Sequence, residues 1–144
     1  MSQYKRIIAA IDLSDESDAV LQRACEVAQQ NSAELSLVHV VEIISYAYGG
    51  EMPVDIADIQ TQVENHAERR IKEIADKLDY PITQTLVAPG NTGSEIHSVA
   101  QQLDADLIVI GSHGRHGISL LLGSTANGVL HGANCDILAV RLGA

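Results

Sequence analysis

The chain has no tryptophan and no phenylalanine, and its four tyrosines hold aromatic content to 3%. Its core must be built from Ala, Val, Ile and Leu, which supply most of the 46% hydrophobic fraction. That composition suits a buried parallel sheet covered by helices. Basic residues are scarce as well: 9 Lys and Arg stand against 19 Asp and Glu, for a formal net charge of −10. Duplex nucleic acid asks for a basic stripe and single strands for aromatic stacking platforms, so nucleic acid is excluded as a partner. No apolar run reaches the roughly 18 residues that span a bilayer, and no charged segment followed by an apolar one opens the chain. The expectation is a soluble, cytoplasmic protein with neither membrane contact nor signal peptide. Cysteine is limited to Cys25 and Cys135, far apart and outside any C-x-x-C pattern, which predicts two buried free thiols rather than a disulfide.

At 144 residues the sequence fits one domain, 1–144, able to bury roughly 70% of its unfolded surface without covalent staples. Lys5 to Ile11 is a short apolar run ending at Asp12, and Ser14-Asp15-Glu16-Ser17-Asp18 supplies a cap and an acidic first turn. Strand, loop and helix follow from that order. Val20, Ala24, Val27 and Ala28 continue at helical spacing to Asn31-Ser32, and Leu35 to Val41 makes a second strand. Ile44 to Pro53, with Gly49-Gly50, reads as an irregular connection. From Val54 to Leu78, Ile56, Ile59, Val63, Ala67, Ile71, Ile74 and Leu78 fall three or four apart and mark one long amphipathic helix. Strand three is Ile82 to Ala88, a short helix runs Asn91 to Leu103, and strand four is Asp106 to Ile110. A fourth helix over Ser124 to His131 and a strand over Asp136 to Arg141 complete the pattern. Alternating strands and helices with short connections imply a single α/β domain with an open parallel five-stranded sheet and helices on both faces.

The richest chemistry lies in Gly111-Ser112-His113-Gly114-Arg115-His116-Gly117 and Leu120-Leu121-Leu122-Gly123-Ser124-Thr125, directly after the apolar run Leu107-Ile108-Val109-Ile110. Here a buried strand runs into a glycine-rich loop and then a helix N-terminus, whose free N–H groups attract anions. The amides of Gly111, Gly114, Gly123 and Ser124, with the Ser124 and Thr125 hydroxyls, can take phosphate oxygens. In an open parallel sheet ligands sit beyond the strand carboxyl ends, where the strand order reverses. Asp12 ends strand one, and Val40 and Glu42 end strand two. If strands one and four are neighbours, Asp12 faces the glycine loop across one crevice. There it can bond a ribose or nucleobase, or hold Mg²⁺ bound to phosphates. The plainer alternative is that Asp12 caps a helix or bonds its own loop, and that the glycines only turn the chain.

The segments AAIDLSDES and LSLVHVVE, and the C-terminal IVIGSHGRHG followed by GSTANGVLHGANCDILAVR, resemble the universal stress protein family, of the UspA type, over essentially the whole chain. The resemblance implies a Rossmann-like fold with strand order 3-2-1-4-5 and a homodimer paired through the last strand, residues 136–141. It also implies a stress-response regulator that binds AMP or ATP, with Mg²⁺ reaching Asp12 through the nucleotide. By the same resemblance Asp12 and Val40 match adenosine-contacting positions and Ile110 lines the adenine pocket. Ala10 stands where some nucleotide-binding members have Pro, and Gly111, Gly114, Gly123, Ser124 and Thr125 match the phosphate site. Those members carry glycine, two residues, glycine, nine residues, then glycine with Ser or Thr. Here Gly114 and Gly123 enclose only residues 115–122, one short of that spacing. Such a loop can wrap an α-phosphate yet misplace the amides meant for β and γ.

The remaining candidates are weaker. His113 and His116 lack a nearby third ligand and flank phosphates more simply, with Arg115 as the local fixed cation. His39 reads as a packed or sheet-end histidine, and His66, His97 and His131 lie on helices. No G-x-S-x-G elbow or catalytic triad can be argued, and Glu64 to Lys77 reads as the wet face of its helix or a docking face for an unknown protein partner. Besides nucleotide binding, two readings stay open. One is a nucleotide-free dimer acting through a partner; the other is a weak ATPase, for which no Lys follows the glycines and no base is placed for a water. No catalytic residue is assigned.

Overall fold

The structure, a computed structural model, describes residues 4–15, 17–42, 54–111 and 134–141, with the backbone alone at 54–57. The elements are β1 (Arg6–Ala10), α1 (Ser17–Asn31), β2 (Glu34–Val41), α2 (Val54–Lys77), β3 (Gln84–Pro89), α3 (Thr92–Gln102), β4 (Leu107–Gly111) and β5 (Asp136–Val140). All five strands are parallel in the order β3-β2-β1-β4-β5, as the resemblance implied. The expected connection over Ile44 to Pro53 and the expected helix over Ser124 to His131 lie outside the described residues.

Alternation along the central strands explains the two layers of core. Ile7, Ala9, Leu35, Leu37, Leu107 and Val109 point to one face and pack with Val20, Leu21, Ala24 and Ala28 of α1 and Ile71 of α2. Ile8, Val38, Ile108 and Ile110 point to the other and pack with Ile96, Val99 and Ala100 of α3. The buried residues of both layers are aliphatic, with the partly buried Tyr4 and Tyr80 packed against the first. Each fully buried Leu, Ile or Val contributes about 1.5–3 kcal/mol by leaving water.

The helices α1 and α3 end without glycine. Ser32 (φ 52°) and Asp104 (φ 54°) take the left-handed conformation after α1 and α3. Beyond them the Ala33 amide donates to Ala28 and the Ala105 amide to Ala100, each at 2.9 Å. These bonds satisfy last-turn carbonyls and turn the chain back toward the sheet. Asn91 caps α3 by accepting the Ser94 amide at 3.1 Å. At the amino end of the sheet the Asp106 carboxylate accepts the Lys5 and Arg6 amides at 2.8 and 3.1 Å, which ties the start of β1 to β4.

Three expectations are refined. Strand three begins at Gln84 rather than Ile82, because Pro81 cannot donate to a ladder and the first cross-strand bond is Thr83 N–H to the Leu35 carbonyl at 2.8 Å. Along α2, Ala67 and Ile71 are buried, but Ile59 and Val63 are 48% and 41% exposed. At 24 residues the helix is about 36 Å long, against about 20 Å for a strand the length of β3, so its first turns overhang the sheet. Cys25 and Cys135 are free, as expected, but half-buried rather than buried. Burial pushes both thiols up, helped by Asp79 beside Cys25 and by Asp136 and Asp106 beside Cys135, so both stay protonated at neutral pH.

Candidate functional site

The strand order reverses between β1 and β4, since the chain adds β2 and β3 on one side of β1 and then β4 and β5 on the other. Extending the Ala10↔Val38 register brings Asp12 level with Val40, and extending Ala9↔Val109 brings Ile11 level with Gly111. A crevice of about 680 Å³, counted out to open solvent, lies at this end of the sheet. Of the residues singled out from sequence, Ala10, Asp12, Val40, Ile110 and Gly111 all line it. Gly114, Arg115, Gly123, Ser124 and Thr125, with His113 and His116, lie outside the described residues.

The floor is apolar, made by Val38, Val40, Ile96 and Ile110, which suits an apolar ligand face more than a charged head. Gly111 is the last ladder residue of β4, paired with Val140 and buried. It therefore belongs to the strand rather than to the glycine-rich loop expected from the sequence.

Asp12 is the crevice's carboxylate, and its local role is plain. Its Oδ1 accepts the Ser14 amide at 3.0 Å, the Ser14 hydroxyl at 2.6 Å and the Ser17 hydroxyl at 2.8 Å. Partial burial pushes the carboxyl up, but these bonds outweigh it and hold the group below its ordinary value. Asp12 is thus an anion at neutral pH. The bonds from Ser14 and Ser17 all fall on Oδ1. Between the carboxylate and Ser14 the chain passes through Leu13 at φ 66°, a left-handed conformation that costs a bulky residue about 1–2 kcal/mol. Downstream of Leu13 the loop is held in that shape by the Asp12 bonds to Ser14 and Ser17.

Reading the sequence missed Ile11, Ser17, Val20, Val38, His39, Thr92 and Ile96 as lining residues. Ser17 could have been found: it opens α1 and lies five residues past Asp12, within reach of its carboxylate. Thr92 and Ile96 could not, because they enter only once the β3-to-β4 crossover lays the start of α3 over this end of the sheet. His39, expected as a packed or sheet-end residue, lines the crevice, and its Nδ1 stands 2.7 Å from the Ile11 carbonyl oxygen.

Comparison with known proteins gives a consistent picture. The model of the universal stress protein family matches residues 3–141. Universal stress protein A homolog 1 of Coxiella burnetii is 43% identical over 138 residues, which cover 95% of this chain and 96% of the relative. Among solved structures, universal stress protein UspA from Lactobacillus plantarum superposes with a TM-score of 0.81 at 24% identity, covering 98% of this chain and 100% of that one. The universal stress protein from Archaeoglobus fulgidus, solved in complex with dAMP, superposes with a TM-score of 0.58 at 22% identity, covering 99% and 100%. At such identities the two structures agree with this chain in fold.

Proposed function

This chain belongs to the universal stress protein family, and from that premise we propose that its crevice binds an adenine nucleotide, AMP or ATP, as the ligand of a cytoplasmic stress-response regulator. The observation that carries the reading is the pairing of an apolar floor, Val38, Val40, Ile96 and Ile110, with the ionised Asp12 at the point of strand reversal. The base lies on the floor and the ribose hydroxyls reach the Asp12 carboxylate. The phosphates extend past Gly111, and by resemblance to the family Gly114, Gly123, Ser124 and Thr125 are the residues that would take them, with Arg115 as the local cation. That dAMP, a monophosphate, is bound by the Archaeoglobus fulgidus protein favours a ligand of this size.

Mg²⁺ fits only as a passenger. No group of three or more His, Cys, Asp or Glu stands together among the described residues, so the ion would be held by the phosphates, with Asp12 as its one protein carboxylate. When bound, it would neutralise phosphate charge.

The test is calorimetric titration of AMP and of ATP into nucleotide-stripped protein, with and without Mg²⁺. Binding at micromolar concentration supports the reading, and a preference for AMP reports that the short loop does not hold the outer phosphates. No heat and no melting shift with either nucleotide would overturn it.

A second reading is favoured by Asp12 Oδ1 being engaged within its own loop. On that reading the carboxylate is structural and the protein acts as a nucleotide-free dimer that meets a partner. β5 lies at an edge of the sheet, and pairing two such edges across residues 136–141 would cover their unpaired amides and carbonyls. Its test is native mass spectrometry of the purified protein: a dimer free of adenosine phosphate, lost on truncation after Asp136, supports it.

A further inference from the structure

His39 has a defined hydrogen-bonding state. Its Nδ1 lies 2.7 Å from the Ile11 carbonyl oxygen, and a carbonyl oxygen only accepts. The proton on that contact therefore belongs to the ring, and Nδ1 donates. Ile11 is held on both sides as a result, since its amide donates to the Val38 carbonyl at 2.9 Å while its carbonyl takes the imidazole. The neighbouring β2 positions that alternate onto the same face, Leu35 and Leu37, are wholly buried and apolar. An apolar side chain at position 39 would satisfy that packing but offer the Ile11 carbonyl no donor.

The backbone just beyond Ile11 makes the clamp matter. Leu13 holds φ 66°, and a backbone of that kind persists only where its flanks are restrained. On the downstream side the restraint is Asp12 Oδ1 with Ser14 and Ser17. On the upstream side the side chain that supplies it is His39.

We propose that His39 is a positioning residue for Asp12: by clamping the Ile11 carbonyl it sets the direction in which the Asp12 carboxylate leaves the end of β1, and so the strength with which the crevice holds an adenine nucleotide. Its affinity readout rests on the nucleotide reading; its other readouts need no nucleotide.

The experiment titrates AMP into the wild type, His39→Leu, His39→Asn, Asp12→Ala and the double variant His39→Leu/Asp12→Ala. Alongside, carbon-13 NMR follows the Asp12 carboxyl through its titration in ligand-free protein, and nitrogen-15 shifts report the wild-type His39 ring. Loss of one hydrogen bond that fixes a binding group predicts AMP binding about tenfold weaker in His39→Leu. The Asp12 titration of that variant should move up toward the ordinary carboxylate range. His39→Asn, whose Nδ2–H can replace the imidazole donor, should stay within about threefold of the wild type. In the Asp12→Ala background His39→Leu should add less than about twofold, because the two residues act as one unit.

Unchanged AMP affinity in His39→Leu, an unmoved Asp12 titration, or a full tenfold loss in the Asp12→Ala background would each overturn the proposal. So would a wild-type ring protonated at Nε2 instead of Nδ1, a test that stands even if His39→Leu does not fold. If wild-type protein binds no AMP, the nucleotide reading fails by itself, and the Asp12 titration and the ring shifts decide the role of His39.

Discussion

The Ser17 hydroxyl donates to Asp12 Oδ1 at 2.8 Å, joining the first residue of α1 to the loop that leaves β1. Ser17 is 3% exposed, one of the few polar side chains inside an aliphatic core, and its hydroxyl is satisfied there by a charge. The bond carries structure and site together: it fixes the angle at which α1 starts, and it commits one oxygen of the crevice's carboxylate.

Ser17→Ala should destabilise the protein by about 1.5–3 kcal/mol, the usual worth of a hydrogen bond to a charged acceptor. Urea unfolding would show this as a lower midpoint at unchanged slope. The Asp12 carboxyl should at the same time titrate higher, since one of the bonds holding it down is gone.

The sign of the acid dependence follows from the depressed value of Asp12. A carboxyl whose folded value is lowered contributes stability that is fully present above the unfolded value, about 3.9, and is lost as pH falls through the folded value below it. The stability gap between wild type and Asp12→Asn should therefore be steady from pH 7 to about 5 and close below about 4. Urea midpoints measured across that range check it; a gap that widens in acid would contradict the assignment.

Gly90 should not tolerate a side chain. It holds φ +140°, and a Cβ would stand 3.0 Å from both Cγ and Oε1 of Glu95. Gly90→Ala should cost about 1–3 kcal/mol. Adding Glu95→Ala should restore only part of it, because that change relieves the contact and leaves the backbone conformation strained. Thermal melts of the single and double variants measure the split.

Asp106→Ala leaves the Lys5 and Arg6 amides without the carboxylate they now share. A loss of about 1–3 kcal/mol is expected. Hydrogen exchange should speed at Lys5 and Arg6 more than at the buried residues Ile8 and Ala9, since the damage starts at the amino end of β1. Uniform acceleration along the strand would show instead that the bonds add only to global stability.

Much of this molecule can be read locally. Leu107 to Ile110 is a wholly apolar run, buried on both faces, so burial alone makes it a central strand. Periodicity marks α2, and Asn91 marks the start of α3, because a short polar side chain placed before a helix satisfies its orphan amides. Asp12 was legible as a strand-end carboxylate but its engagement was not: bonding within its own loop and ligand contact look alike in sequence, and only the three donors gathered on Oδ1 reveal the first. Ile59 and Val63 fit the helical period as well as Ala67 and Ile71 do, yet they lie beyond the reach of the sheet, and no pattern along a helix encodes where its neighbour ends.

By itself, then, the sequence determined the order of the described elements, an aliphatic two-faced sheet and the strand-end positions of Asp12, Val40 and Gly111, because side-chain period, chain stiffness and burial act between near neighbours; Ala10 and Ile110 were singled out by resemblance to the family. Only the tertiary structure decided that Thr92 and Ile96 close the crevice from α3 and that His39 clamps Ile11 across 28 residues of chain. Those contacts depend on which strands lie side by side and in what register, and that is set by the collective packing of both faces rather than by any one segment.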